Sequence, residues 1–227
     1  IASSLTDTDG SESLAIRISG APTDAVLVSG TQTLAASNGA WTLTPEQLTG
    51  LKITPPANSD ADFTLTVTST ATDGTSVAST SQTLLVTVDP VADIPSLSVS
   101  PASGNEDSAI ALSIASSLTD TDGSESLAIR ISGAPTDAVL VSGTQTLAAS
   151  NGAWTLTPEQ LTGLKITPPA NSDADFTLTV TSTATDGTSV ASTSQTLLVT
   201  VDPVADIPSL SVSPASGNED SAIALSI

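Results

Sequence analysis

The side chains of this sequence that could do chemistry are almost all carboxylates. The 227 residues include 24 Asp plus Glu, four Lys plus Arg, and no His or Cys. The acids recur in short glycine-containing loops, as in Asp120-Thr-Asp122-Gly-Ser-Glu125 and Asp186-Gly187. Carboxylate oxygens suit Ca²⁺, which takes roughly six to eight oxygen ligands. The residue types therefore indicate binding of calcium ions.

The composition also excludes several classes of function. Without His or Cys there is no thiol nucleophile, imidazole base, haem or iron–sulfur ligation, or ordinary zinc site. A net charge of −20 repels phosphate groups, so we expect neither nucleic acid nor an anionic membrane as a partner. The sequence has no apolar stretch of about 18 residues, so no membrane insertion of this segment is expected.

An internal repeat determines how these acids are organised. Residues 1–113 are identical to residues 114–226, and Ile227 starts a third copy. A period of 113 residues matches the length of an independent domain and exceeds that of a solenoid repeat. The Pro-rich and acidic segments 88–95 and 201–208 mark the boundaries between domains. We therefore predict repeat 1 at residues 1–90, repeat 2 at residues 91–203, and the N-terminal segment of a third repeat at residues 204–227.

Repeat 1 in this division has no N-terminal strand of its own. The segment 96–113 of repeat 2 is identical to segment 209–226. We therefore expect an equivalent segment to supply the strand that repeat 1 lacks.

The elements that carry the acids are predicted to be β-strands. Thr or Ser alternates with Val, Leu or Ile in segments 96–100, 127–131, 176–183 and 196–201, which is typical of strands with one buried face. Strands at this spacing, without a helical run, predict an all-β fold of antiparallel sandwiches arranged head to tail. The segment 101–107 is predicted to be a turn, and 157–161 a single helical turn. The aggregation-prone segment 196–201 is expected to be buried.

Strand parity places the acids at the two ends of each domain. If the chain enters a domain at one end and leaves at the other, alternate loops lie at opposite ends, and ten of the 12 acids per repeat fall at an end or in a linker. Asp137 and Glu159 are the exceptions and read as ordinary surface acids. The metal ligands predicted at the joint inside the chain are Asp60, Asp62, Asp89, Asp93, Asp120, Asp122, Glu125 and Asp186. The corresponding candidates at the other ends are Asp7, Asp9, Glu12, Asp73, Glu106, Asp107, Asp173, Asp175, Asp202, Asp206, Glu219 and Asp220.

Simpler explanations stand beside these hypotheses. Turns favour Asp and Gly for backbone reasons, and exposed acids keep a β protein soluble. Trp41 and Trp154 could stack on a sugar ring, but one Trp in an apolar strand is more typical of a core. Asp173 and Asp175 could form an acid–base pair for glycoside hydrolysis, yet no aromatic-lined cleft is evident. We therefore expect no enzyme.

Several motifs resemble known extracellular repeats. Asp120-Thr-Asp122, Ala184-Thr-Asp186-Gly187 and the linker pattern of Asp202, Asp206 and Pro208 resemble cadherin repeats, in which calcium ions lock consecutive domains. Four sequence segments are similar to the tandem extender domains of giant bacterial RTX adhesins, which are Ig-like and cadherin-like. These segments are ASGNEDSAIAL, LTDTDGSESL, WTLTPEQLTGLKITPP and DFTLTVTSTATD. The linker lacks an Asn-Asp pair, and glycine-rich RTX nonapeptides are absent from the segment.

The resemblance implies a secreted protein on the bacterial cell surface that acts in cell adhesion and biofilms. The resulting hypothesis is a calcium-stiffened spacer, whose partners are calcium ions and neighbouring identical repeats, that projects a distal adhesive region. The alternative is a ligand-binding adhesin repeat with a sugar or receptor site in each domain.

Overall fold

A computed structural model describes residues 1–7 and 9–226 of the chain. By their contacts the residues form two compact units. The first unit consists of Ile1–Leu97, Ser116–Ile129 and Thr181–Ser194, and the second of Ser98–Ala115, Arg130–Val180 and Gln195–Ile227. The first unit therefore contains all of repeat 1, the linker that follows it, and three segments of repeat 2.

Repeat 1 folds into two sheets. Its elements are β1 (Ser13–Ser19), β2 (Val26–Ser29), β3 (Gln32–Leu34), β4 (Ala40–Leu43), a 3₁₀ helix (Pro45–Leu48), β5 (Leu51–Thr54), β6 (Phe63–Asp73) and β7 (Ser76–Val86). One sheet has the order β4-β1-β6-β7 and the other β3-β2-β5, with antiparallel pairing throughout both.

Repeat 2 carries the same elements with additional strands before them. They are β8 (Ser96–Ser100), β9 (Ala102–Asn105), β10 (Ile110–Ala111), β11 (Ser113–Ser117), β12 (Ser126–Ser132), β13 (Val139–Ser142), β14 (Gln145–Leu147), β15 (Ala153–Leu156), a second 3₁₀ helix (Pro158–Leu161), β16 (Leu164–Thr167), β17 (Phe176–Asp186) and β18 (Ser189–Asp202). The sheets have the orders β15-β12-β17-β18-β9, β10-β16-β13-β14 and β11-β8.

The apolar residues of the alternating strands form a buried layer between the sheets. In the first unit the core contains Ile16 and Ile18 of β1, Leu65 of β6, and Leu27 of β2, which lies in the other sheet. In the second unit the buried side chains are mostly aliphatic, as expected from the aromatic content of 2%: Ile131, Leu140, Leu164, Ile166, Leu178, Leu197 and Val199. The predicted all-β sandwich class is confirmed.

The predicted helical turn at 157–161 is confirmed, and its local signals are visible in the structure. The backbone N–H of Thr157 donates to Oε1 of Gln160 at 2.9 Å, so the side chain three residues on caps the start of the 3₁₀ helix. Pro158 occupies the first turn, where its missing N–H is harmless.

One expectation about strands was wrong, and a second was confirmed. The segment predicted as a turn before Glu106 contains β9, which pairs in parallel with β18, so the sandwich is not purely antiparallel. The expected burial of segment 196–201 is confirmed, since Leu197 is 1% exposed; the counterpart of Leu197 in repeat 1, Leu84, is 43% exposed. The physical reason for this difference is that, among the described strands, β9 has no equivalent in repeat 1, so no strand pairs with the outer edge of β7.

No helix in the described ranges is both long and apolar enough to span a membrane.

Candidate metal centre

The loop 120–125, before β12, is shaped by its own carboxylates. Oδ1 of Asp120 accepts a 2.8 Å hydrogen bond from the backbone N–H of Asp122. Oδ1 of Asp122 accepts from the N–H and the hydroxyl of Ser124, at 2.8 and 2.6 Å. Identical bonds form in repeat 1, where the N–H of Asp9 donates to Asp7 at 3.0 Å. Because both copies fold alike, this loop conformation is dictated by local sequence.

The linker is hydrogen-bonded to the loops of repeat 2. The backbone N–H of Asp93 donates to Oε1 of Glu125 at 2.7 Å, and that of Ala92 donates to Oγ of Ser189 at 3.0 Å. The Thr119 hydroxyl donates to the carbonyl of Ile94 at 2.7 Å. All of these residues belong to the first unit.

Glu125 carries the feature that points most directly to a ligand. While Oε1 accepts from the linker, Oε2 is buried and has no hydrogen-bond partner. A buried carboxylate oxygen without a partner is costly because it has lost its water. A cation at this position would remove that cost.

Asp186 lies at the end of β17 and is 4% exposed. Burial, and then the negative charges of Asp60, Asp122 and Asp120, raise the pKa of its carboxyl above the ordinary 3.8. The pKa of Asp122 is instead lowered, first by the hydroxyl and then by the backbone N–H of Ser124. The side chain of Ser124 offsets these effects on Asp186 only in part, so the carboxylate of Asp186 lies in a negative environment.

Asp120 and Asp186 border a cleft of about 330 Å³ in the first unit. Its lining includes Asp60, Asp89, Asp93, Asp120 and Asp186. As the side chains stand, the described residues contain no group of three or more acids positioned to hold a metal ion. The donor chemistry, the buried orphan oxygen and the environment of Asp186 nevertheless fit a calcium ion.

Other predicted ligands have structural roles or remain exposed. Oδ1 of Asp62 accepts from the N–H of Val88 at 2.8 Å, and Asp175 does the same with Val201 in the second unit. Both carboxylates thus hold the backbone at the first residue of a linker segment. Exposed candidates are Asp7, Asp9, Asp73, Asp89, Asp122, Asp173, Asp202, Asp206, Glu219 and Asp220, whereas Glu12 is half-buried.

A second group of acids meets the chain where repeat 2 ends. Oε1 of Glu106 accepts from the N–H of Val204 at 2.7 Å, and its own N–H donates to the carbonyl of Asp202 at 2.9 Å. Oδ1 of Asp107 accepts from the N–H of Asn171 at 2.8 Å. Through these bonds Glu106 and Asp107 hold backbone segments of the second unit in place.

Sequence reasoning missed Ser189 and the contact of Pro90 with Gly187. An added Cβ at Gly187, which has φ +55°, would lie 2.7 Å from Cγ of Pro90, so glycine is required there by space as well as by φ. The available signal was the position of Ser189 in the same TDGTS loop as Asp186.

The tryptophans belong to the core. Trp41 and Trp154 are each 4% exposed, and their indole N–H groups donate to the carbonyls of Leu34 and Leu147 at 3.1 Å. Neither ring presents a face on which a sugar could stack.

No protein-family model and no curated protein matches the sequence. Among solved structures, Drosophila N-cadherin EC1-3 is 16% identical with a TM-score of 0.30, and the match covers 87% of this chain and 57% of that one. An endo-fucoidan hydrolase of glycoside hydrolase family 107 is 18% identical with a TM-score of 0.26, covering 85% and 24%. The zebrafish RET cadherin-like domains 1 to 4 are 12% identical with a TM-score of 0.27, covering 84% and 42%.

The chain thus spans less than two thirds of each of these structures. At such low identities and TM-scores, the likenesses identify neither a family nor a function.

Proposed function

We propose that the chain is a stretch of calcium-stiffened extender repeats from a bacterial surface adhesin. In this proposal residues 1–90 and 91–203 are consecutive domains and residues 204–227 begin a third. The repeats set length and stiffness and have no catalytic role. The observation that supports the proposal best is the unpartnered oxygen Oε2 of Glu125, whose other oxygen is hydrogen-bonded to the linker.

The ligand set proposed for the cleft comes from the linker and from both repeats. It consists of Asp60, Asp89, Asp93, Asp120, Asp122, Glu125 and Asp186. Exposed members such as Asp122 can turn about their side-chain bonds toward an ion, whereas Asp120 and Asp186 are already buried. A calcium ion would supply positive charge and oxygen coordination where the chain offers only carboxylates.

Charge explains why an ion would control stiffness. With a net charge of −20 over two periods, the acids flanking a linker repel one another in the absence of a cation. Extracellular calcium modules bind at about 10⁻⁴ to 10⁻³ M, so calcium outside a cell would fill sites that a cytosol leaves empty. Such a chain would be flexible before secretion and stiff afterwards.

Small-angle scattering tests the proposal directly. We expect the profile of the 227-residue chain to change from that of a flexible chain in chelator to that of a rigid rod in calcium. Magnesium at the same ionic strength is the control, because it dehydrates reluctantly and demands octahedral geometry. Identical profiles in calcium and chelator would refute calcium stiffening. Binding of a sugar by a single repeat, independent of calcium, would instead favour the ligand-binding adhesin.

A further inference from the structure

Two strands from opposite ends of repeat 2 lie side by side. Strand β9 is near the start of the repeat, and β18 is its last strand. The two pair in parallel, with Ala102 opposite Val199 and Asn105 opposite Asp202. All of these residues belong to the second unit. Tension applied along the chain would therefore act on both strands of one ladder.

The parallel direction determines how this ladder carries a load. Tension pulls β9 from its first residue and β18 from its last residue, and in a parallel pair these two residues lie at opposite ends of the ladder. The strands are therefore pulled past each other, and the load is divided among all of their hydrogen bonds at once. In an antiparallel pair the same two residues would be adjacent, and the bonds would open one after another.

Further hydrogen bonds lengthen the ladder at the end of β18. The backbone N–H of Glu106 donates to the carbonyl of Asp202 at 2.9 Å, and the N–H of Val204 donates to Oε1 of Glu106 at 2.7 Å. The N–H of Val201 donates to Oδ1 of Asp175 at 2.8 Å. Glu106 is 8% exposed and Val201 is 4% exposed, so water has little access to compete for these bonds.

The segment after β9 is fastened to another sheet of the repeat. Ile110 pairs with Ile166 of β16, and the N–H of Leu112 donates to the carbonyl of Leu164 at 2.9 Å. Ile110 is 2% exposed, and an added Cβ at Gly104 would lie 2.9 Å from its Cγ1. Because Ile110 packs this closely against the backbone of β9, the strand cannot slide along β18 unless Ile110 leaves the core.

We propose that the pairing of β9 with β18 is a mechanical clamp, which keeps the repeat folded under tension. A force along the chain reaches the interior strands of repeat 2 only after this ladder has broken in shear. The resistance is a barrier to forced unfolding and is separate from equilibrium stability. Its biological use rests on the proposed extender function, since only a chain under tension needs a clamp, but the resistance itself does not require calcium.

Single-molecule force spectroscopy of the 227-residue chain tests the clamp. The chain has no cysteine, so two introduced cysteines are the only thiol attachment points. Ser100→Cys with Ala205→Cys pulls the ladder in shear, because Ser100 precedes β9 and Ala205 follows β18. Ser108→Cys with Ala205→Cys is the matched control, which opens the same ladder from one end, because Ser108 follows β9. All three residues are exposed.

We expect the shear pair to unfold at a force at least about twofold higher than the control pair, because shear divides the load among the four residue pairs of the ladder. Unfolding of repeat 2 is identified by a gain of roughly 3.5 Å for each residue between the attachment points. Urea unfolding checks that the two double variants have the same equilibrium stability.

The measurement is made in chelator, so its outcome is independent of calcium stiffening. Equal unfolding forces for the two double variants would overturn the clamp, whatever calcium does to the scattering profile. A scattering profile unchanged by calcium, together with a higher force in shear, would refute calcium stiffening and support the clamp.

Discussion

The backbone N–H of Asp93 donates a 2.7 Å hydrogen bond to Oε1 of Glu125, and this bond joins the linker to the acidic loop of repeat 2. The other oxygen of the same carboxylate is buried without a partner. Glu125 therefore connects the position of the linker to the place where the proposed calcium ion would bind.

Replacement of Glu125 should weaken calcium binding. Glu125→Gln keeps the shape and an oxygen acceptor for Asp93 but removes the charge that balances the ion, so we expect at least about a tenfold lower calcium affinity by calorimetry. Glu12→Gln is the matched control, since Glu12 holds the same place in repeat 1. Equal losses in both variants would show that the linker contact is unimportant.

Asp186 should make the proposed calcium binding depend on pH. Its raised pKa means that the folded chain holds this proton more tightly than the unfolded chain does. Calcium must displace the proton, so affinity should fall as the pH is lowered from neutrality toward that raised pKa. Asp186→Asn should bind calcium more weakly and with a flatter pH profile, whereas Asp73→Asn should retain the wild-type profile.

The same shift predicts an opposite effect on stability without calcium. Protonation of Asp186 stabilises the folded state below the ordinary pKa of 3.8, and that contribution is lost as the pH rises through the raised pKa. In chelator at neutral pH, Asp186→Asn should therefore unfold at a higher urea concentration than wild type. An equally stable or less stable variant would contradict the charge repulsion inferred for this carboxylate.

Gly187 and Gly74 hold the same place in the two repeats, so substituting each in turn distinguishes the effect of the nearby Pro90 from the effect of the turn conformation. Both have positive φ, +55° and +58°, but an added Cβ meets Pro90 at 2.7 Å only at Gly187. Gly74→Ala should cost about 1 kcal/mol from backbone strain alone. Gly187→Ala should cost more and should also speed amide hydrogen exchange at residues 91–93. Unchanged exchange there would indicate that Pro90 moves without disturbing the linker.

Trp154 should contribute to stability as a core residue. Trp154→Phe removes the hydrogen bond to Leu147 from a side chain that is 4% exposed, so we expect a loss of about 1–2 kcal/mol in the free energy of unfolding by urea. If Trp154→Phe left the stability unchanged and abolished sugar binding, the result would instead support the ligand-binding adhesin.

Much of the fold was predictable because its signals are local. The alternation in β12 and β17, the cap of the second 3₁₀ helix and the Asp120 loop all follow from residues within a few positions of each other. Strand β9 was not predictable, because Pro101 and the following small residues are typical of a turn. Its strand conformation depends on pairing with β18, which lies about a hundred residues away.

The candidate site was predictable only in part. Parity of the strands predicted Asp60, Asp120 and Asp186 at one joint, and all three line one cleft, but parity did not reveal that Asp62 accepts from the N–H of Val88. That bond depends on the distance in space between Asp62 and Val88. The spacing of acids along the sequence does not determine that distance.

By itself, the sequence determined the all-β class, the period of 113 residues, the aliphatic core and the shape of each acidic loop. It could not determine which copy of a residue is buried, because residues 1–113 and 114–226 are identical. Tertiary structure alone decided that Asp186 is buried while Asp73 is exposed, and that Leu197 is covered while Leu84 is not. The physical reason is that burial depends on neighbouring segments: among the described residues, Asp93 of the linker bonds to Glu125, and segment 102–112 pairs with β16 and β18, in the second copy.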